Sequence, residues 1–143
     1  MESSYSYIIG LEFDAARNNI AIEQITNPDN GFIQLHQNYI DFLTIMIGED
    51  FTFFKNTEKQ KVERLIKLRK NDKDSPYFLY SQAEIHLQWA FARLKFEDYI
   101  PAAYEFVKAY YLFEKNTELY PNFTLNMKGL GILHSLLDIV PDQ

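Results

Sequence analysis

The sequence predicts an all-α chain of five or six helices, and three observations carry that reading. Tyr99, Ala102, Phe106 and Ala109 recur at gaps of three, four and three, which places them on one stripe of a 3.6-residue period. Val and Ile are scattered along the chain, and Asn30-Gly31 precedes a helical pattern instead of joining two β-type runs. The breaks at Asn27-Pro28-Asp29-Asn30-Gly31, Gly48-Glu49-Asp50, Asn71 to Pro76, Phe96-Glu97-Asp98 and Tyr120-Pro121-Asn122 are turn chemistry set between apolar-periodic segments.

In chain order, the first segment spans about 3–26, with Ala15, Ala16 and Ile20 on its apolar side; a bend between Gly10 and Phe13 leaves one helix or two open. The second, about 31–48, gathers Leu35, Tyr39, Phe42, Leu43 and Met46 and stops at Gly48. Thr57 and Gln60 have capping-box spacing, so the third is expected from Thr57 to about Lys70, with Val62, Leu65, Ile66 and Leu68 as a narrow stripe. Ser75 caps the fourth and Pro76 takes its first turn, where a missing N–H costs nothing. From Tyr77 to Leu94 this helix is apolar nearly all round, which predicts a central position with Trp89 buried. The fifth runs from Asp98, as cap, to Leu119. The sixth, about 122–139, carries Met127, Leu130, Gly131 and His134 on one face. Ala102 and Ala109 are expected where a neighbouring helix approaches closely.

A chain of 143 residues suits one domain, 1–143, burying roughly 70% of its unfolded surface. With 12 Phe and 10 Tyr it holds ample core material for folding. A net charge of −6 and a pI near 5.0 argue against nucleic acid as the main partner. The absence of Cys excludes disulfides, thiolate zinc sites and thiol nucleophiles. No apolar run reaches the ~18 residues of a membrane span, and Met1-Glu2-Ser3-Ser4 does not open an export signal. The abrupt first and last patterns lead us to expect one segment of a longer protein.

The residues of the fourth and fifth segments resemble a degenerate tetratricopeptide repeat. Tyr99, Ala102, Phe106 and Ala109 match the alternating aromatic and small positions of that family's second helix, and Trp89-Ala90 matches the large-small pair of its first. Leu130-Gly131 offers the same pair for a following repeat, and Phe13, Ala16 and Ile20, with Pro28 after them, repeat three of the four spacings, Glu23 replacing the second small residue. From Trp89 to Leu130 is 41 residues against a usual ~34, so the fifth helix must be extended. The second and third segments match the motif poorly. The resemblance implies antiparallel helical hairpins stacked as a fragment of a right-handed α-solenoid, with Glu84, Leu87, Gln88, Phe91 and Lys95 lining a groove for a peptide or protein. Their competing reading is burial of Leu87 and Phe91 as core. The stretch from Ser75 to Phe91 is also similar to helical N-terminal regions of repeat proteins in bacterial envelopes of the Bacteroidetes type, which implies a periplasmic or envelope setting beside a cytoplasmic one.

Chemistry is sparse. His36, His86 and His134 sit on different predicted helices without a second ligand at i+4, which favours buried or half-buried hydrogen-bonded side chains over a metal site. Glu84 and His86 fall on opposite faces of one helix. No phosphate loop or nucleophile elbow occurs, so neither catalysis nor a cofactor is expected. The stretch 55–73 holds Lys55, Lys59, Lys61, Arg64, Lys67, Arg69, Lys70 and Lys73 among the chain's 14 cationic residues. Glu58, Glu63, Asp72 and Asp74 interleave with them, as on a solvated face, with Glu63 to Lys67 a favourable pair. The expected function is a noncatalytic helical-repeat module for protein–protein interaction or assembly. Its partner is a protein or peptide, the remaining repeats of a parent chain, or a second copy of this chain. The alternative is a nucleic-acid-binding domain using 55–73. Leu133, Leu136, Leu137 and Val140 make the last helix more apolar than one neighbour can cover, and mark it as a self-association or inter-repeat face.

Overall fold

The computed structural model describes residues 2–138, apart from the side chain of Leu137. Helix makes up 79% of it, and no strand occurs among the described residues. Seven helices follow one another: α1 (Glu2–Ile9), α2 (Phe13–Thr26), α3 (Phe32–Ile47), α4 (Phe51–Leu68), α5 (Tyr77–Lys95), α6 (Tyr99–Leu119) and α7 (Leu125–Leu137). They form two compact units, the first ending at Asp72 and the second beginning at Lys73.

In the first unit the open question at Gly10 resolves into two helices. Leu11, at φ 61°, takes the left-handed conformation that ends α1, with Leu11 N–H donating to the Ile8 carbonyl (3.0 Å) and Glu12 N–H to that of Tyr7 (2.7 Å). This is the Schellman pattern with leucine where glycine is usual. Ile8, Ala16, Ile20, Ile33 and Ile40 from α1, α2 and α3 build the core there, flanked by Tyr7, Phe13, Tyr39 and Leu43. The start expected at Thr57 lies two turns too late. Asp50 is the cap of α4, its Oδ1 accepting from Phe53 N–H (2.9 Å), while the Thr57 hydroxyl turns back to the carbonyls of Phe53 and Phe54. No glycine or proline interrupts 51–57, so the helix propagates from the earlier cap. Its buried face is Phe54, Thr57, Arg64, Leu65 and Leu68, whereas Val62 and Ile66 are exposed.

The second unit is a helix hairpin, α5 against α6, with α7 packed on both. Ser75 Oγ accepts from Tyr77 N–H (3.2 Å), as its capping position predicts. The α5–α6 corner is again a Schellman turn: Glu97 N–H reaches the Leu94 carbonyl (3.0 Å), Asp98 N–H that of Arg93 (2.9 Å), and Glu97 sits at φ 58°. A three-residue corner between two extensively packed helices makes them antiparallel. Ala83, Leu87, Ala109, Phe113 and Leu133 form the core of this unit, and Trp89, Ala102 and Ala109 are buried. At the open end, Asn116 Nδ2 donates to the Pro76 carbonyl and to Asn126 Oδ1 (2.9 Å each), and the Tyr120 hydroxyl to the Asp74 carbonyl (2.6 Å). The Phe123 ring meets Tyr77 and Tyr80 edge-on.

The orientation of α7 corrects one expectation. Met127, Gly131 and His134 face solvent, and Asn126, Gly129 and Leu133 face inward. The glycine that matters for packing is therefore Gly129, where an added Cβ would lie 2.4 Å from Phe113 Cζ; around Gly131 there is open space. Gly129→Ala should lower stability by about 1–3 kcal/mol through overpacking, and Gly131→Ala should raise it by up to about 1 kcal/mol through helix propensity. Chemical denaturation followed by Trp89 fluorescence checks the pair, and equal midpoints for the two variants would contradict this packing.

Candidate functional site

A buried cluster of ionisable groups lies inside the second unit. Glu105 points from α6 into the hairpin and is 1% exposed. His86 Nδ1 on α5 donates to its Oε2 (2.5 Å), and Arg93 Nε, two turns further along α5, donates to its Oε1 (3.3 Å). Arg93 Nη1 continues to Asp98 Oδ2 (3.0 Å) while the guanidinium lies 5.5 Å from the Trp89 ring centroid. Asp98, expected as the side-chain cap of α6, spends its carboxylate on Arg93 instead. All of His86, Arg93 and Glu105 are buried. Two donors compensate one carboxylate in a dry setting, a constellation suited to fixing the hairpin and closed to a substrate.

The five groove residues occupy one side of α5, and most of that side is covered by the unit itself. Leu87 is in the core with Ala109, Phe113 and Leu133, and Phe91 packs edge-on against Phe106 of α6 with centroids 5.3 Å apart. Gln88 is buried and Lys95 half-buried. Half-buried Glu84 is the member with altered chemistry: burial pushes its carboxyl up to about 6, against the opposing pull of the Lys128 charge and a hydrogen bond with Tyr80. Core packing of Leu87 and Phe91 is thus what the geometry presents.

On α7 the proposed self-association face divides. Leu133 is buried against Ala83, Leu87, Ala109 and Phe113, so it is core and cannot be an outward contact. Leu136 is half-buried, and the Leu137 side chain and Val140 fall outside the described residues. His36 and His86 are buried and His134 is exposed beside Tyr110, contrary to the enclosed setting expected of it. Burial holds the His36 imidazole down to about 4. The folded first unit therefore disfavours the proton on His36, and that contribution weakens its stability as pH falls from 6.5 towards 4. No group of three or more His, Asp or Glu side chains among the described residues is arranged to hold a metal ion.

The basic stretch resolves into separate roles. Arg64 is buried, 2.6 Å from Asp41, with further bonds to Asn38 (3.3 Å) and Gln60 (3.0 Å). It forms part of the wall of a polar cleft of about 350 Å³ with Arg17, Gln37, Glu63 and Lys67. Lys55 pairs with Glu58 (3.3 Å). Lys59, Lys67, Arg69, Lys70 and Lys73 remain exposed.

The outer side of α6 is apolar as well. Ile100 is 86% exposed, Val107 69%, and Tyr104 and Tyr111 58% each. Their gaps of four, three and four place them on one stripe, opposite the buried Ala102, Glu105, Ala109, Phe113 and Asn116. Lys108 lies along Tyr104 and Lys115 along Tyr111, each ammonium about 6 Å from the ring centroid, so the lysine stems edge the stripe. This contiguous surface was readable in the sequence by the same spacing rule as the inner stripe. Comparison with protein-family models, curated proteins and solved structures finds no match to this chain.

Glu84 gives the second unit a pH dependence with a definite sign. Its folded-state value, about 6, lies above the ordinary 4.5, so its stabilising contribution is complete below 4.5 and is lost as pH rises through 6. Glu84→Gln should therefore raise the stability of this unit near pH 7.5 by about 1–2 kcal/mol and give no gain near pH 4. Denaturation curves read at Trp89 check this; a gain independent of pH would contradict the assignment.

Proposed function

We propose that this chain is a noncatalytic helical interaction module, and the observation that carries the reading is the exposed apolar stripe of α6. Scattered apolar side chains are normal on a protein surface, but a contiguous, rigid row on one helix marks a contact surface. Four side chains at helical spacing meet a partner helix as ridges meet a groove. The paired His86 and Glu105 are sealed in the hairpin, out of reach of a substrate, which supports a binding role over an enzymatic one.

Within this reading the α5–α6 hairpin is a degenerate tetratricopeptide-like unit, in keeping with buried Ala90, Ala102 and Ala109 at the helix contact. Stacking of such hairpins would make the chain a solenoid fragment, in which outward apolar faces are covered by neighbours. Nucleic-acid binding through 55–73 is less well supported, since Arg64 is consumed by Asp41 and Lys55 by Glu58.

A photoreactive residue placed at Tyr104 should capture a partner in cells, whereas the same group at exposed Gln24 should not. Val107→Arg should reduce the capture at least tenfold, since burying an unpaired charge in the contact costs more than about 1.4 kcal/mol. Equal capture from both sites, or capture indifferent to Val107→Arg, would overturn the reading.

A further inference from the structure

In the first unit α1 is held lightly. Its eight residues are fewer than the roughly 12–15 that an isolated helix needs in water, so it is helical because it is packed. Two of them, Ser4 and Ile8, are buried. Leu11, at the corner leading to α2, holds a left-handed conformation that is costly for any residue with a Cβ. Beneath α1 lies His36 of α3, 5% exposed, its ring centroid 6.2 Å from that of Tyr5 on α1 and 5.8 Å from that of Phe32 on α3. Tyr5 also meets Tyr39 of α3 edge-on at 6.1 Å. We infer that α1 is an acid-operated strap, closed over α3 near neutral pH and lifted when His36 takes up a proton, while α3 and α4 stay folded.

The geometry of one atom carries this. His36 Nδ1 is buried and has no hydrogen-bond partner. In the imidazolium both ring nitrogens are donors, so Nδ1–H would become part of a cation sealed away without an acceptor. The groups packed on it are rings, Tyr5 and Phe32, not carboxylates. The charge that bears on it is the N-terminal amine's, which repels a second positive charge; Glu2, Glu12, Asp14 and Glu23, the carboxylates of α1, α2 and their corner, give no offset. α4 meets α3 on a different side, through Asn38 and Asp41. Burial first, and that amine second, hold the covered His36 at about 4, and release into water returns it to 6.5. Lifting α1 opens Nδ1 to water, relieves Leu11, and uncovers the part of the Ile20, Ile33 and Ile40 cluster on which Ile8 packs.

Backbone amide exchange on the whole chain, corrected for its intrinsic pH dependence, reads the opening directly. Between pH 7 and pH 5 the protection of amides 6–12 should fall by roughly twentyfold, approaching a slope of about one proton per opening near pH 5, while the amides of α3 and α4 keep their protection. His36→Leu should remove the fall. His36→Phe, which keeps a ring against Tyr5, serves if the leucine variant does not fold. Protection of amides 6–12 that is unchanged down to pH 5 would overturn the proposal. So would a loss shared equally by α3 and α4, which is acid unfolding of the whole unit, and so would a fall that persists without His36. A slope near two in the native chain would assign the opening to more than this one imidazole and overturn it as well.

Discussion

Everything in the second unit is arranged around one buried carboxylate. Glu105 is enclosed between α5 and α6, where an unpaired charge would be untenable, so the hairpin can close only in the register that delivers His86 and Arg93 to its two oxygens. Apolar packing alone is more permissive: Ala83, Leu87, Ala109 and Phe113 would tolerate small slips of one helix along the other. The ionic cluster removes that freedom. Asp98, drawn to Arg93, anchors the corner, and Asn116 with Pro76 and Asn126 closes the other end.

Fixing the inner side of α6 also fixes its outer side. With Ala102, Glu105, Ala109 and Phe113 turned inward, the period of the helix leaves Ile100, Tyr104, Val107 and Tyr111 pointing away from the hairpin. An amphipathic helix normally turns a polar face to water. α6 instead carries large apolar side chains outward as well as inward, which is the distribution expected of a helix that serves the core of its own unit and a contact beyond it.

Much of this was legible in the sequence. Periodicity and turn chemistry identified the all-α class, the α5–α6 hairpin and the burial of Ala102, Ala109 and Trp89, because those features depend on residues near one another in the chain. The rest was not legible, for separate local reasons. Leu11 ends α1 in a conformation usually left to glycine, so the choice between one helix and two stayed open, and Asp50, itself part of a turn-like break, is the cap that starts α4. The inward turn of Gly129 is decided by the Phe113 ring, which no local rule can weigh. The partners of Glu105 lie 19 and 12 residues away on the other helix, so only the fold reveals the cluster. A clue was nonetheless present: Glu105 sits between Ala102 and Ala109 on the stripe of small residues, where a carboxylate is anomalous unless it is paired.

The central claim is that Glu105 and Arg93 act as one unit in setting the hairpin, and a double-mutant cycle measures this directly. Glu105→Gln, Arg93→Gln and the double variant would be compared by chemical denaturation read at Trp89. The account predicts strong non-additivity, a coupling of at least about 1 kcal/mol, with the double variant less destabilised than the sum of the two single changes. Additive losses would contradict it, and would mean that apolar packing alone determines how α5 and α6 meet.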